Sequence, residues 1–229
     1  MDVVDLEKTP LRDFNQALHD LAGKSDEASF QVLNPRGKHA VASGIDAPAY
    51  VEIEGSVGYY CGSMNKQATV VVNGSAGVGL AENIMSGIVH VKGDASSSAG
   101  ATGIGGMVVI DGNASSRCGI SNRGADIIVK GNVGHMSAFM AQAGNLVVLG
   151  DAGEAFGDSL YEAKLFVRGN VKSLGADCVE KEMKDKHKKL LRELLDKAGI
   201  GPEVDVSEFK RYGSARQLYN FKIDNLEAY

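Results

Sequence analysis

Between residues 49 and 177 apolar side chains alternate with polar or small ones in short runs, and each run ends in a glycine. Two residues before that glycine stand Ile53, Val72, Val91, Ile110, Val129, Val148 and Val167. Four before it stand Val51, Val70, Val89, Val108, Ile127, Leu146 and Leu165. A period of two marks a strand with a buried face. The glycines themselves, Gly55, Gly74, Gly93, Gly112, Gly131, Gly150 and Gly169, recur every 19 residues. The next residue is Ser56, Ser75, Asp94, Asn113, Asn132, Asp151 or Asn170, each a turn former able to bond nearby backbone. Val57, Ala76, Ala95, Ala114, Val133, Ala152 and Val171 follow, again apolar and small. Thirteen residues beyond the first six glycines the chain places Ala68, Gly87, Gly106, Ala125, Gly144 and Ala163, never a bulky side chain.

One such unit cannot bury its own inner face, so the units must stack. The pattern predicts an all-β chain: a single-stranded parallel β-helix of about seven 19-residue coils, right-handed by the rule for parallel crossovers. At roughly 4.8 Å per coil the stack is about 30 Å long. The repeat glycines are expected at equivalent corners with positive φ.

The outward positions divide into two columns. Directly before each glycine stand Glu54, Asn73, Lys92, Asp111, Lys130, Leu149 and Arg168; Lys92, Asp111 and Lys130 alternate in sign from coil to coil. Three residues before it stand Glu52, Val71, His90, Val109, Ile128, Val147 and Phe166. Val71, Val109, Ile128, Val147 and Phe166 form an apolar stripe on a face that alternation sends outward. It calls for a cover, either a helix of this chain or a partner subunit.

The ends break the period. Thr9-Pro10 offers a helix cap followed by proline at the first helical position, and Leu11, Phe14, Leu18 and Leu21 mark one helical face ending near Gly23. Residues 178–198 are dense in charge, with Val179, Met183, Leu190, Leu191, Leu194 and Leu195 as an apolar stripe and Gly199 as a stop. The division expected is an N-terminal helical cap over 1–29, the β-helix over 30–177, and a charged amphipathic helix with an irregular tail over 178–229. Phe209, Tyr212, Leu218, Tyr219 and Phe221 are the expected anchors of that tail.

Composition narrows the function classes. Of 29 glycines, 23 lie between residues 49 and 177, while prolines number only 4, which argues against a collagen-like or proline-rich chain. A net charge of −5 argues against a generic cationic nucleic-acid binder. Cys61, Cys118 and Cys178 are too few and too scattered for a disulfide framework. The start is acidic without the apolar run of a signal peptide, and no stretch reaches the roughly 18 apolar residues that span a bilayer. A soluble cytoplasmic protein is expected, with neither nucleic acid nor membrane as partner.

Candidate chemistry is sparse. His19, His39, His90, His135 and His187 are dispersed, and no CxxC or HExxH occurs. Residues 100–106, Gly-Ala-Thr-Gly-Ile-Gly-Gly, resemble a phosphate loop, but no Lys-Ser/Thr follows and the repeat accounts for the small residues. Tyr59, Tyr60, Arg117 and His135 fall in one short segment of the repeat, four or five residues after the glycine. Two roles are open to them, a polar catalytic cleft or a partner interface. Glu154 is the only carboxylate in those positions, where a carbohydrate-active β-helix needs several convergent charged groups, so interface is the favoured role. No catalytic, cofactor-binding or metal-binding residue is assigned.

The spacings Gly55-x-x-Gly58-x-x-x-Gly62 and Gly150-x-x-Gly153-x-x-x-Gly157, with near copies at Gly74-x-x-Gly77-x-x-x-Ala81 and Gly131-x-x-Gly134-x-x-x-Ala138, resemble the glycine-repeat β-helix domain found in the glutamate synthase large subunit and in formylmethanofuran dehydrogenase. The stretches GIDAPAYVEIEGSVGYYCGSMN, AENIMSG, SAGATGIGG, RCGISNRGADIIVKG, GHMSAFMAQAG and GDAGEAFGDSLYEAKLFVRG are similar to the β-helix subunits of N-methylglutamate synthase, also called methylamine–glutamate N-methyltransferase. So are LRDFNQALHDL near the start and KSLGADCVEKEM and FKRYGSARQLYNF near the end. The resemblance implies a non-catalytic scaffold subunit. Its expected partners are an amidotransferase-like subunit and an FMN-binding glutamate synthase-like subunit. FMN, with an iron–sulfur cluster as a further candidate, is expected in the partner and not in this chain. The complex would make N-methylglutamate and ammonia from glutamate and methylamine. The alternatives are a subunit of another glutamate synthase-like or formylmethanofuran dehydrogenase-like oxidoreductase, or an independent enzyme acting on an extended ligand along the coils.

Overall fold

The computed structural model describes residues 1–24 and 28–216. Nine strands stack in parallel in chain order: β1 (Asp2–Asp5), β2 (Ala28–Leu33), β3 (Ala49–Glu54), β4 (Thr69–Val72), β5 (Ile88–Val91), β6 (Met107–Ile110), β7 (Arg123–Val129), β8 (Ala143–Val148) and β9 (Lys164–Val167). They form one wall of a β-solenoid of about seven turns. From β3 to β9 each strand pairs with the next at an offset of 19 residues, as in Val51 with Val70 and Ile127 with Leu146, with one register shift where Arg123 pairs with Ala143. A second wall is a ladder of single bridges through Val57, Ala76, Ala95, Ala114, Val133, Ala152 and Val171.

Both inward columns of the strands are buried, and with Cys61, Leu80, Ile84, Cys118 and Phe156 they fill one continuous core. Helix α1 (Leu11–His19) closes the first coils. Its Phe14 and Leu18 are buried, and Phe14 meets Phe30 edge to face at 5.9 Å. Asn15 fixes its placement, donating to Ala40 O (2.8 Å) and accepting from Ala42 N–H (3.1 Å). Pro10, not Thr9, occupies the cap position, without a side-chain hydrogen bond.

The repeat glycines differ from expectation in one respect. Gly55 has φ +132°, but Gly74, Gly93, Gly112, Gly131, Gly150 and Gly169 lie outside the positive region. What excludes a side chain there is the coil beneath. A Cβ on Gly112 would sit 2.3 Å from Asp94 Oδ1 and 2.8 Å from Gly93 O. The closeness serves a ladder. Gly112 N–H donates to Gly93 O (3.0 Å), Gly131 to Gly112 (2.9 Å) and Gly150 to Gly131 (3.0 Å). Beside it, each turn residue accepts a backbone N–H from the coil above: Ser56 Oγ from Ser75 (3.1 Å), Asp94 Oδ1 from Asn113 (2.7 Å), Asn132 Oδ1 from Asp151 (2.7 Å) and Asp151 Oδ1 from Asn170 (2.7 Å).

The third side of each coil is built differently. The residue five beyond the glycine is left-handed in six successive coils: Tyr60 (φ 60°), Gly79 (72°), Ser98 (63°), Arg117 (57°), Met136 (54°) and Ala155 (52°). The positions seven and nine beyond repeat this, at Gly62, Ala81 and Ala138, and at Met64, Thr102 and Ser159. Successive N–H groups along this zigzag point to opposite neighbours. Arg117 donates forward to His135 O (2.9 Å), and Gly119 donates back to Ala99 O (2.8 Å).

The C-terminal region corrects the expected division into helix and irregular tail. Residues Cys178–Lys181 are a strand, β10, and helix α2 runs only over Asp185–Lys197. A short 3-10 turn (Val206–Glu208) leads to a further strand, β11 (Lys210–Ser214), which inserts antiparallel between β9 and β10. Val179 therefore belongs to β10 and not to the helix stripe. Phe209 and Tyr212 are buried anchors, whereas Leu218, Tyr219 and Phe221 lie outside the described residues.

Helix α2 lays Leu191, Leu194 and Leu195 on Val109, Ile128, Val147 and Phe166, with Met107, Ile200 and Phe209 completing this second core. Arg192 secures the end of the cover, bonding Asp196 (2.8 Å), Val204 O (3.1 Å) and Ile200 O. The outward stripe is thus covered within the chain over four coils. Val71 is the exception: it is half-buried and lies outside that cluster.

Two stability outcomes follow from this packing. Gly112→Ala lowers the free energy of unfolding by more than about 1 kcal/mol despite its ordinary φ, because alanine's single methyl already meets Asp94 and the Gly93 carbonyl. Denaturant titration of the full chain measures this. Ile128→Asp buries a charge beneath α2 and lowers the stability of the isolated chain by more than about 3 kcal/mol. Unchanged thermal unfolding of that variant would contradict an intramolecular cover.

Candidate functional site

Side chains that face inward are committed to the core, so candidate chemistry lies on the outward columns. Tyr59 and Tyr60 are about half-exposed, at 48% and 46%. The Tyr59 ring stacks on His39 with centroids 4.4 Å apart and meets Tyr60 edge to face at 6.4 Å, while His39 Nδ1 accepts the Tyr59 N–H (2.9 Å). Arg117 and His135 are exposed on adjacent coils, joined through the Arg117 N–H. Tyr59 and His135 share a column but stand four coils apart, roughly 19 Å at the coil spacing. The structure therefore assembles the two tyrosines with His39 and leaves Arg117 and His135 well up the stack. A catalytic cleft needs groups converging on a reacting atom, and these four residues do not converge.

A shallow depression of about 300 Å³ adjoins the tyrosines, lined by Ala40, Ser43, Tyr60, Ser63, Met64, Glu82 and Asn83. Sequence patterns alone missed Glu82 and Met64. Met64 could have been found, because it is a bulky apolar residue at an outward left-handed position, and it is 47% exposed. A second depression, of about 400 Å³, lies along the turn-residue ladder between Asn132, Asp151, Asn170 and Lys172.

At the outer edge of the β wall, two residues beyond the covered Val109, Asp111 gathers three nitrogen groups. His90 Nε2 lies 2.9 Å away, Lys130 Nζ 2.8 Å and Lys92 Nζ 3.7 Å. Partial burial pushes the Asp111 carboxyl up, but the bonds from Lys130 and His90 and their charges outweigh it, leaving its pKa below the ordinary value. Farther along, Asn73 bridges Glu52 (3.0 Å) and Glu54 (3.2 Å), and Gln31 donates to Glu54 (3.0 Å). These ties stitch neighbouring coils.

The three cysteines are buried and free. Burial raises the thiols of Cys61 and Cys118 to about 12, and that of Cys178, also beside Asp158, to about 12. Such thiols are protonated and unreactive at neutral pH. Among the described residues no group of three or more histidine, cysteine or acidic side chains could hold a metal ion. No helix among them is long and apolar enough to cross a membrane.

The class is therefore a parallel β-solenoid with a helix-clamped outer wall and an aromatic patch at its N-terminal coils. Along its whole length the chain is 65% identical to Protein GlxC of Rhizobium meliloti (strain 1021), covering 100% of both chains. It belongs to the GlxC family. No family model matches it.

The charge cluster gives a pH-dependent outcome. Because the folded pKa of Asp111 is depressed, its stabilisation is fully present above the unfolded value of 3.8 and is lost as pH falls through the lower folded value. Asp111→Asn should cost up to about 1 kcal/mol at pH 7, and the difference from wild type should shrink in denaturant titrations below pH 4.

Proposed function

We propose that this chain is the scaffold subunit of a glutamate synthase-like complex that makes N-methylglutamate from glutamate and methylamine, releasing ammonia. The observation that carries this is the distribution of outward chemistry. Tyr59 and Tyr60 are exposed on one coil, and Arg117 and His135 on two others well up the stack, all around one continuous core. That arrangement suits holding other proteins at fixed spacing better than bond-making. The complex is supplied by the resemblance of nearly the whole chain to the β-helix subunits of N-methylglutamate synthase. In this assembly the partners are an amidotransferase-like subunit and an FMN-binding glutamate synthase-like subunit. FMN, with an iron–sulfur cluster as the further candidate, resides in the latter.

The reaction exchanges one amine for another on the same carbon skeleton. Glutamate gives up its amino nitrogen as ammonia, and methylamine supplies the nitrogen of the product. The role of this chain is positional: a stack about 30 Å long sets the separation of the bound subunits. Stability of that stack then bears on activity only through assembly.

The test is purification of the complex at native expression, with identification of the co-purifying subunits and of bound flavin. The isolated chain is expected to be colourless and silent with glutamate and methylamine, and activity should appear only when the partners are added. N-methylglutamate formed by this chain alone would overturn the scaffold role.

A further inference from the structure

The depression beside Tyr60 has the make-up of a cation acceptor. Tyr60 and Glu82 both line it, and both pack against the buried Gly79: a Cβ there would lie 2.6 Å from the Tyr60 ring and 2.9 Å from Glu82 Oε2, so the coil stack sets the ring and the carboxylate side by side. None of the ion pairs among the described residues engages Glu82. Lys66, two residues beyond Met64, is already held by Asp46 (2.8 Å), and Arg36 is held by Glu7. The chain as a whole carries a net charge of −5. Among the described residues the carboxylate is thus open to a positive group from outside.

The surroundings decide what kind of positive group. Tyr59, Tyr60 and Met64 are each about half-exposed, leaving three large apolar side chains open to solvent side by side. Tyr60 also occupies a left-handed backbone position that Gly79, Ser98 and Ala155 fill in other coils. The turn itself therefore does not require a tyrosine there. Aromatic rings with a neighbouring carboxylate bind guanidinium and ammonium groups by cation–π contact and charge-assisted hydrogen bonds. Adaptable methionine and rigid tyrosine around such an anchor are what a protein interface uses. A free small amine would leave Tyr59 and Met64 uncovered.

We propose that the patch of Tyr59, Tyr60, Met64 and Glu82 is a docking surface whose occupant is an arginine or lysine side chain on the surface of a partner protein. This rests on the scaffold role only in supposing that a partner exists, and the two can fail separately.

The first measurement needs no partner. The full chain, with methyl-labelled methionines and Met64 assigned through Met64→Leu, is titrated with acetyl-Gly-Arg-Gly-amide and with the neutral acetyl-Gly-Gln-Gly-amide. The Met64 methyl resonance should shift and saturate with the arginine peptide only. The apparent Kd should weaken at least tenfold in Glu82→Gln and in Tyr60→Ala, both of which keep the wild-type thermal unfolding. No shift, or an equal shift in Glu82→Gln, overturns the proposal. So does n-butylammonium binding as tightly as the arginine peptide, because the site would then suit a small amine. The second measurement is assembly with the amidotransferase-like and FMN-binding subunits. Glu82→Gln and Tyr60→Ala should weaken complex formation at least tenfold, with Glu154→Gln unchanged. A complex that forms equally well with both patch variants overturns the docking role. If wild type forms no such complex, the glutamate synthase-like assembly falls, and the peptide titration still decides the patch.

Discussion

Everything in this molecule depends on the backbone contact between one coil and the next. The strands, the bridge ladder and the left-handed zigzag each send their N–H groups to the coil before or after, so three sides are hydrogen-bonded along the stack. Such bonding keeps the coils from β3 to β9 near one length of 19 residues, while the ends depart from it: β2 pairs with β3 at 21 residues, and Phe156 bridges Leu174 at 18. The corner is where the constraint is tightest, because Gly112, Gly131, Gly150 and Gly169 lie against the carbonyl of the glycine below with no room for a methyl group. The serine, asparagine and aspartate ladder then captures the N–H that the turn would leave unpaired. These bonds are solvent-exposed, so each contributes only a net of about 0.5–1.5 kcal/mol, repeated from corner to corner along the stack.

This constraint explains which features were legible in the sequence. A fixed coil length writes itself as a fixed glycine spacing, and inward strand positions must be apolar, so the fold and its inner columns could be read directly. The cause of the glycines could not. Positive φ and close approach both demand glycine, and only the three-dimensional structure separates Gly55, where φ is +132°, from Gly112, where the neighbouring coil forbids a side chain. The left-handed zigzag was hidden for the opposite reason. Ala81, Ser98, Arg117 and Met136 adopt it without being glycine, because hydrogen bonds to both neighbouring coils over-determine their backbone. Strands β10 and β11 stand outside the period. Their antiparallel pairing, β11 with β9 and β10 with β11, has no spacing to announce it, and the charge of residues 178–184 read instead as part of a helix.

The outer face of the β wall shows how a solenoid handles surface that its own coils cannot bury. Beneath α2 the outward column is Val109, Ile128, Val147 and Phe166; beyond the helix it turns to His90 and Glu52, with Val71 between them half-buried. The change of chemistry along one column coincides with the limit of the cover. A 13-residue helix is about 20 Å long, enough for some four coils and no more. Over the remaining coils, His90 bonded to Asp111 of the next coil, and Glu52 and Glu54 with Asn73, replace apolar packing by charge pairing and hydrogen bonds.

Repetition also provides a way to locate function. Positions equivalent in successive coils face equivalent demands from the fold, so a side chain that departs from its column without improving the core answers to something else. Arg117 and His135 depart in this way but stand apart from the tyrosines, and neither lines the two depressions described above. Tyr59 and Tyr60 depart together, next to an exposed methionine and a carboxylate engaged by no ion pair there. The candidate site was therefore half legible. The tyrosines announce themselves against Ser97, Ser98 and Ser116 in the sequence, whereas Glu82 joins them only because the coils stack. Residues 22 positions apart come to flank the same glycine when one coil is laid on the next. The coil contact that builds the core is thus also what assembles the patch.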